Sequence, residues 1–296
     1  MAGTAGPLRG RVAVVTGAAR GLGAAMAREL SRRGATVALI GREESALAEV
    51  RDSVAGPAEC WEVDVTDDAR MARVADEVRA RFGPASVLVA NAGVAEGGPF
   101  AESDPVSWRR VIEVNLIGSA ISARTFLPQL RATHGYYLQI ASLASIGAAP
   151  MMSAYCASKA GVEAFAHTLR AETAHEGVGV GIAYLNWTDT DMIRDADRHP
   201  VLRELRGHMP RPARKVYPVE TVAARVVRAV EHRGTAVYVP AWLRATQVVR
   251  AAMPSVVTMV SRRELPKLRQ ETSFEATGLL GAGGRAGADA PGGPDR

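Results

Sequence analysis

The stretch from Arg11 to Ile40 constrains the fold more than any other part of the chain. Arg11-Val12-Ala13-Val14-Val15 is a short apolar, β-branched run of the kind a strand buried on both faces requires. Thr16-Gly17-Ala18-Ala19-Arg20-Gly21-Leu22-Gly23 follows, then a segment of helical composition from Ala24 to Arg33 that ends at Gly34, then a second strand-like run, Thr36-Val37-Ala38-Leu39-Ile40. The glycines therefore occupy a strand-to-helix turn. In that position a pyrophosphate can approach bare backbone and the positive end of the helix dipole, so the stretch predicts dinucleotide binding, with Gly17, Gly21, Leu22 and Gly23 forming the turn.

The rest of the chain repeats the alternation. Apolar strand candidates at 11–16, 36–41, 60–65, 85–91, 136–142, 178–185 and 235–239 are separated by helical stretches near 21–33, 43–54, 68–81, 105–132, 153–176 and 219–232. This order predicts an α/β fold: a three-layer, doubly wound parallel sheet of about seven strands with helices on both faces and ligands at the carboxyl ends of the strands. We divide the chain into a flexible N-terminus (1–9), one Rossmann-like catalytic domain (10–240), an apolar C-terminal extension (241–276) and a tail (277–296) whose Gly, Ala, Pro and charge predict disorder.

A second feature bears on chemistry. Tyr155 and Lys159 are four apart in Tyr155-Cys156-Ala157-Ser158-Lys159, so on a helix they share a face, and Ser142 lies thirteen residues before the tyrosine. A phenol with a pKa near 10 exchanges protons poorly at neutral pH. An adjacent ammonium that favours phenolate would improve it, and moving the pKa to about 7 takes roughly 4 kcal/mol.

Together these residues make the chain similar to the short-chain dehydrogenase/reductase family, in its shorter, single-domain branch, from about Gly10 to Pro240. The resemblance rests on Thr16-Gly17-x-x-x-Gly21-x-Gly23, Asp64-Val65, Asn91-Ala92-Gly93, Asn115, Ser142, and Tyr155 with Lys159, in the family's order. It implies NAD(P)-dependent chemistry on a CH–OH group. In that reading Tyr155 passes a proton to or from the substrate oxygen, and Lys159 lowers the tyrosine pKa and bonds the nicotinamide ribose. Ser142 polarises the carbonyl, Asn115 anchors a water that links Lys159 to solvent, and Asp64 with Val65 holds the adenine edge. Asn91 and Gly93 border the nucleotide. One departure stands out: where the family commonly has Pro-Gly after the sixth strand, this chain has Leu185-Asn186. Thr188 and Thr190 still suit carboxamide contacts, and Asn186 is expected to take the left-handed conformation that glycine would have taken.

Cofactor choice is read from the end of the second strand. An acid there accepts hydrogen bonds from a ribose 2′-hydroxyl, whereas this chain has Gly41-Arg42, which leaves room and a guanidinium for a 2′-phosphate. Arg20 offers a second cation. NADP is therefore preferred over NAD.

The stretch Asp191 to Lys215, rich in charge and proline, predicts a mobile lid over the substrate. Leu143, Ala144, Ile146, Ala148, Ala149, Met151 and Met152 predict an apolar pocket wall and hence a hydrophobic alcohol or ketone. The extension carries Trp242, Leu243, Val248, Val249, Met253, Val256, Val257, Met259 and Val260, with Arg244, Arg250 and Pro254 breaking any membrane span. Three roles stay open for it: covering the pocket, packing in an oligomer, or lying on a membrane surface.

The net charge of +5 is scattered without aromatic interleaving or a long basic block, which argues against nucleic-acid binding. Cys60 and Cys156 make no disulfide framework and read as small buried hydrophobes. Met1 to Gly10 has no apolar core of a signal peptide, which points to the cytoplasm. Val111, Leu116, Ile121, Phe126, Phe165 and Leu169 on the long helical segments suggest a homodimer or homotetramer. Two alternatives to an enzyme remain: a catalytically silent nucleotide-binding sensor, and a lipid-surface-associated protein.

Overall fold

The computed structural model describes residues 6–271 and 275–284. In chain order the elements are β1 (Val12–Thr16), α1 (Gly21–Arg32), β2 (Thr36–Gly41), α2 (Glu44–Ser53), β3 (Ala58–Glu62), α3 (Asp68–Phe82), β4 (Val87–Ala90), α4 (Pro105–Ile112), α5 (Gly118–Ala132), β5 (Tyr136–Ile140), α6 (Ser153–Thr173), β6 (Gly179–Leu185), α7 (Asp191–Ala196), α8 (Pro200–Gly207), α9 (Arg211–Arg214), α10 (Val219–Glu231), β7 (Ala236–Val239), α11 (Leu243–Val248) and α12 (Met253–Glu271). The strands form one seven-stranded sheet in the order β3-β2-β1-β4-β5-β6-β7. Every pairing is parallel.

Why β1 reads as an unbroken apolar run is visible in the packing. Its side chains alternate between two cores: Val12 and Val14 face one side with residues of α3, α5 and α6, while Ala13 and Val15 face the other with residues of α1, α2 and α10. Both faces are dry, so Val12 to Val15 are all apolar, and each buried valine contributes roughly 1.5–3 kcal/mol. The one polar residue of the strand, Thr16, stands at its end with its hydroxyl hydrogen-bonded. The order reverses between β1 and β4, and the carboxyl ends of these strands open the crevice where ligands bind in such sheets.

Several boundaries differ from the sequence expectation. β3 runs over Ala58–Glu62, so Asp64 and Val65 lie in the turn after the strand. The helical stretch expected at 105–132 is divided by one π turn, Glu113–Ile117, which holds Asn115. The N-terminus expected to be flexible up to residue 9 is tied down at Leu8, which is buried and whose N–H donates to the Arg33 carbonyl at 3.1 Å. At the other end, Thr277 to Gly284 do not behave as a disordered tail. The Thr277 N–H donates to the Gly97 carbonyl at 2.8 Å, the Leu280 N–H donates to the Ala95 carbonyl at 2.8 Å, and Leu280 is buried beside Leu202 and Ala196. The apolar pair Leu279-Leu280 supplies the burial that the surrounding glycines lack. Residues 1–5 and 285–296 lie outside the described residues.

The expected lid is built from three short helices, α7, α8 and α9. Leu202 of α8 fits against Gly97, where a Cβ would stand 2.7 Å from its Cδ1. No helix among the described residues is long and apolar enough to cross a membrane.

Candidate active site

The glycine turn is held in shape from below. Thr16 Oγ1, at the end of β1, accepts the backbone N–H groups of Asn91 and Ala92 at 3.0 and 3.1 Å. In return, Asn91 Nδ2 donates to the carbonyls of Thr16 and Gly17 at 3.0 and 3.2 Å. The ends of β1 and β4 are thus clasped, and the turn can exist only with bare backbone. Gly17 has φ +64°, and a Cβ there would lie 2.8 Å from Ala92 Cα. At Gly23 a Cβ would lie 2.0 Å from the Gly17 carbonyl oxygen. The first turn of α1 has no acidic residue and no side-chain cap, so its backbone N–H groups are left for an anion. Thr190 closes the turn from above, its Cγ2 3.3 Å from where a Gly21 Cβ would stand. Leu22 packs toward the core rather than into the crevice. These features fit a dinucleotide pyrophosphate.

At the adenosine end the cations expected to be available are engaged. Arg20 forms an ion pair with Glu43, and Arg42 Nε lies 3.3 Å from Asp64 Oδ2. Glu43 is an acid one residue beyond Arg42, a neighbour that the reading of Gly41-Arg42 did not weigh. Asp64 also pairs with Arg110 of α4, a residue that no motif singles out, since the two are far apart in the chain. Thr66 donates to Asp64 Oδ1 through its N–H at 3.0 Å and its hydroxyl at 2.7 Å. Burial works to raise the Asp64 pKa, but the Thr66 bonds and Arg110 outweigh it and hold the carboxyl below the usual range. Asp64 does not cap α3; that is the task of Asp67, which accepts the Arg70 N–H at 2.9 Å. Val65 is buried, with Gly118 packed against it.

Ser142, Tyr155 and Lys159 converge at the carboxyl end of β5. Ser142 begins a tight turn: its Oγ accepts the Ala144 N–H at 3.2 Å, and its own N–H donates to Ser145 Oγ at 3.3 Å. Tyr155 and Lys159 stand one turn apart on α6, with Lys159 Nζ 5.6 Å from the phenol ring centre and donating to the Ile140 carbonyl at 3.2 Å. The tyrosine pKa is not lowered as expected from the neighbouring ammonium. Burial pushes the Tyr155 phenol up to about 12, against a smaller opposing effect of its hydrogen bond with Ser142. Burial also brings the Lys159 ammonium down to about 8. Both shifts have one cause, because a dry site disfavours phenolate and ammonium alike. At neutral pH the site therefore holds a protonated phenol beside a lysine that is still mostly cationic.

Asn115 is fully committed to protein groups. Its Oδ1 accepts the Val94 N–H at 2.8 Å, and its Nδ2 donates to the Val94 carbonyl and to Ser158 Oγ, both at 2.9 Å. It staples the loop after β4 to α6 and sets Gly93 against the lysine: a Cβ on Gly93 would stand 3.2 Å from Asn115 Oδ1 and 3.7 Å from Lys159 Nζ. The π turn that carries Asn115 had no signature in the sequence.

Asn186 does not take the left-handed conformation expected of a glycine substitute; among the described residues the non-glycine residues with positive φ are His134, Met151 and Arg233. Its N–H instead extends the ladder to the Val239 carbonyl at 3.0 Å, and its Nδ2 donates to the carbonyls of Ala213 and Lys215 at 3.1 and 3.2 Å, holding the end of the lid. Thr188 is buried, its hydroxyl donating to the Asn186 carbonyl at 3.1 Å, so of the two threonines Thr190 is the one placed over the glycine turn. Around Tyr155, the side chains of Met151, Met152, Met192 and Leu205 pack against buried Ala95, Ala196, Leu202 and Leu280. Of the wall expected from the 143–152 loop, Met151 and Met152 lie here beside residues of the lid and the C-terminal segment, while Ile146 packs into the main core. Both cysteines are free thiols whose pKa burial raises, which leaves little thiolate for redox work.

Comparison with known proteins agrees with this geometry. The family model for the short chain dehydrogenases matches residues 11–200. The cis-4-hydroxycyclohexanecarboxylate dehydrogenase of Sinomonas cyclohexanicum is 39% identical over 190 residues, covering 62% of this chain and 75% of that protein. The 3-oxoacyl-(acyl-carrier-protein) reductase of Escherichia coli K12 is 31% identical over 186 residues, covering 62% and 76%. Among solved structures, a short chain dehydrogenase/reductase from Burkholderia phymatum in complex with NAD superposes with a TM-score of 0.73 at 27% identity, covering 83% of this chain and 95% of that one. A parallel doubly wound sheet, a glycine turn that admits no side chain, and Ser142, Tyr155 and Lys159 at the end of β5 are thus joined to a family match over most of the sheet: the chain is an oxidoreductase of the short-chain dehydrogenase/reductase family.

Proposed function

We propose that the protein is an NADP-dependent oxidoreductase that interconverts a secondary alcohol and a ketone, or an aldehyde, on a hydrophobic small molecule. The observation that carries this reading is the convergence of Ser142, Tyr155 and Lys159 beside the glycine cradle. When bound, the nicotinamide supplies or accepts the hydride. In the reductive direction the protonated Tyr155 donates its phenolic proton to the substrate oxygen, while Ser142 Oγ donates a hydrogen bond to the same oxygen. Lys159, cationic below its pKa of about 8, stabilises the phenolate that remains. Asn115 acts at one remove, keeping Val94 and Ser158 in place around the lysine. In the oxidative direction the same groups act in reverse.

Asn91 and Gly93 border the nucleotide from the end of β4, Thr190 covers it, and Arg20, Arg42 and Asp64 stand at its adenosine end. NADP is preferred because two guanidiniums flank that end, and on binding they would exchange carboxylate partners for a 2′-phosphate. The apolar surroundings of Tyr155 support a hydrophobic substrate, and the names of the two sequence relatives, one for a cyclic alcohol and one for an oxoacyl chain, accord with a hydroxyl or ketone carbon. Assembly as a homodimer or homotetramer belongs to the same proposal, although Val111, Ile121, Phe126 and Leu169 are buried in the chain's own core and lend it no support. Ile117, exposed on the π turn, remains available for such a contact.

Calorimetric titration tests the cofactor. If Arg42 makes one or two charge-assisted bonds to the 2′-phosphate, Arg42→Ala weakens NADP by about ten-fold or more and leaves NAD nearly unchanged. An equal loss for both nucleotides, or a wild type that prefers NAD, would contradict the assignment.

A further inference from the structure

The C-terminal extension leaves an apolar stripe uncovered. Val248, at the end of α11, is 87% exposed, and Val249 beside it is exposed as well. On the first two turns of α12, Val256, Met259 and Val260 are also exposed, Met259 at 54%, and their i, i+3, i+4 spacing places them on one face. Farther along the same helix this face turns basic, with Arg263 and Lys267 exposed. Beside the stripe α12 meets the protein: Leu268 is buried, and Met253, at the start of the helix, meets Gly147 in the loop before α6.

The charge around this stripe is one-sided. Residues 244–269 carry six cationic side chains against the single carboxylate Glu264, which pairs with Lys267, while Arg250 pairs with Glu163 of α6. His208 Nδ1, at the end of α8, lies 3.3 Å from Glu264, so the lid adjoins α12. There a cavity of about 550 Å³ is lined by Arg203, Arg206, Gly207, Arg211, Arg214 and Lys215. Residues 203–215 add five cations against Glu204 alone, so these two segments more than account for the net charge of +5. Exposed valines and methionine followed by cations suit the acyl boundary and the headgroups of an anionic leaflet. A second copy of the same face would bring cation against cation, which disfavours self-pairing through it.

We propose that this stripe, formed by the end of α11 and the outer face of α12, docks on an anionic lipid bilayer surface without spanning it. Docking at this edge is separate from the nucleotide cradle and stands whatever the substrate is.

The experiment is vesicle flotation of the full-length protein, using phosphatidylcholine vesicles with and without phosphatidylglycerol. Wild type is expected to float with the anionic vesicles at low salt, to be weakened as salt rises, and to bind phosphatidylcholine alone much less. Arg263→Ser with Lys267→Ser should lower the anionic-vesicle affinity about twenty-five-fold, at about five-fold per cation near the surface. Val256→Ser with Met259→Ser and Val260→Ser should abolish flotation while the circular dichroism melting curve stays close to that of wild type, since about half of each replaced residue is already exposed to water. Failure of wild type to float with anionic vesicles at low salt would overturn the proposal. So would light scattering that shows wild type self-associated and the triple serine variant dissociated, because the stripe would then be covered by a second copy.

Discussion

Replacing Tyr155 with Phe is expected to remove most turnover, by about 10²–10⁴-fold, while nucleotide affinity measured by calorimetry changes little. The phenol is the one group at the end of β5 placed and protonated to exchange a proton with a substrate oxygen. With its pKa pushed up to about 12, it enters a reductive cycle as a proton donor. Removing the hydroxyl leaves the ring and its packing against the buried cluster of Ala95, Ala196, Leu202 and Leu280 in place, so the loss falls on the chemical step and not on the fold. Wild-type turnover in the variant would show that the proton travels by another route.

The second large effect concerns the cradle. Gly23→Val should cut nucleotide affinity by at least about a hundred-fold, because the new Cβ would stand 2.0 Å from the Gly17 carbonyl oxygen and 2.7 Å from Asn91 Nδ2. Neither neighbour can yield cheaply. The carbonyl belongs to the turn itself, and Asn91 Nδ2 is the donor that joins that turn to β4. The clash therefore forces the turn open at the point where the pyrophosphate would sit. Retention of wild-type nucleotide affinity in this variant would place the nucleotide elsewhere.

How much of this was legible beforehand depends on whether the cause is local. β1 and β2 were readable because a strand buried on both faces is apolar along most of its length, and the glycine turn because only glycine tolerates that backbone path. Tyr155 and Lys159 were readable as a pair because helical spacing alone puts them on one face. Their protonation was not, since it follows from how dry the assembled site is, and burial there outweighs the Ser142 hydrogen bond that opposes it. Arg110 at Asp64, and Glu43 at Arg20, are partnerships of the folded chain that no spacing rule announces.

Asn186 misled for a related reason. A position read as a conformational substitute for glycine proved to be a side-chain anchor for residues 213–215, and that demand comes from the lid, far along the chain. At the C-terminus, composition pointed to disorder from residue 277. Yet two leucines among glycines and alanines were enough to bury Leu280 against Leu202 and Ala95 and to complete the wall around Tyr155.

The central claim is that these residues move a proton in step with hydride transfer at a CH–OH carbon. The most direct measurement follows nicotinamide absorbance with purified wild-type protein, reducing a panel of hydrophobic ketones and aldehydes with NADPH and oxidising the matching alcohols with NADP. The account predicts turnover with members of the panel, and its disappearance in Tyr155→Phe. Tight calorimetric binding of the nucleotide with no absorbance change for any member of the panel, in either direction, would contradict it and leave a nucleotide-binding protein that does no redox chemistry.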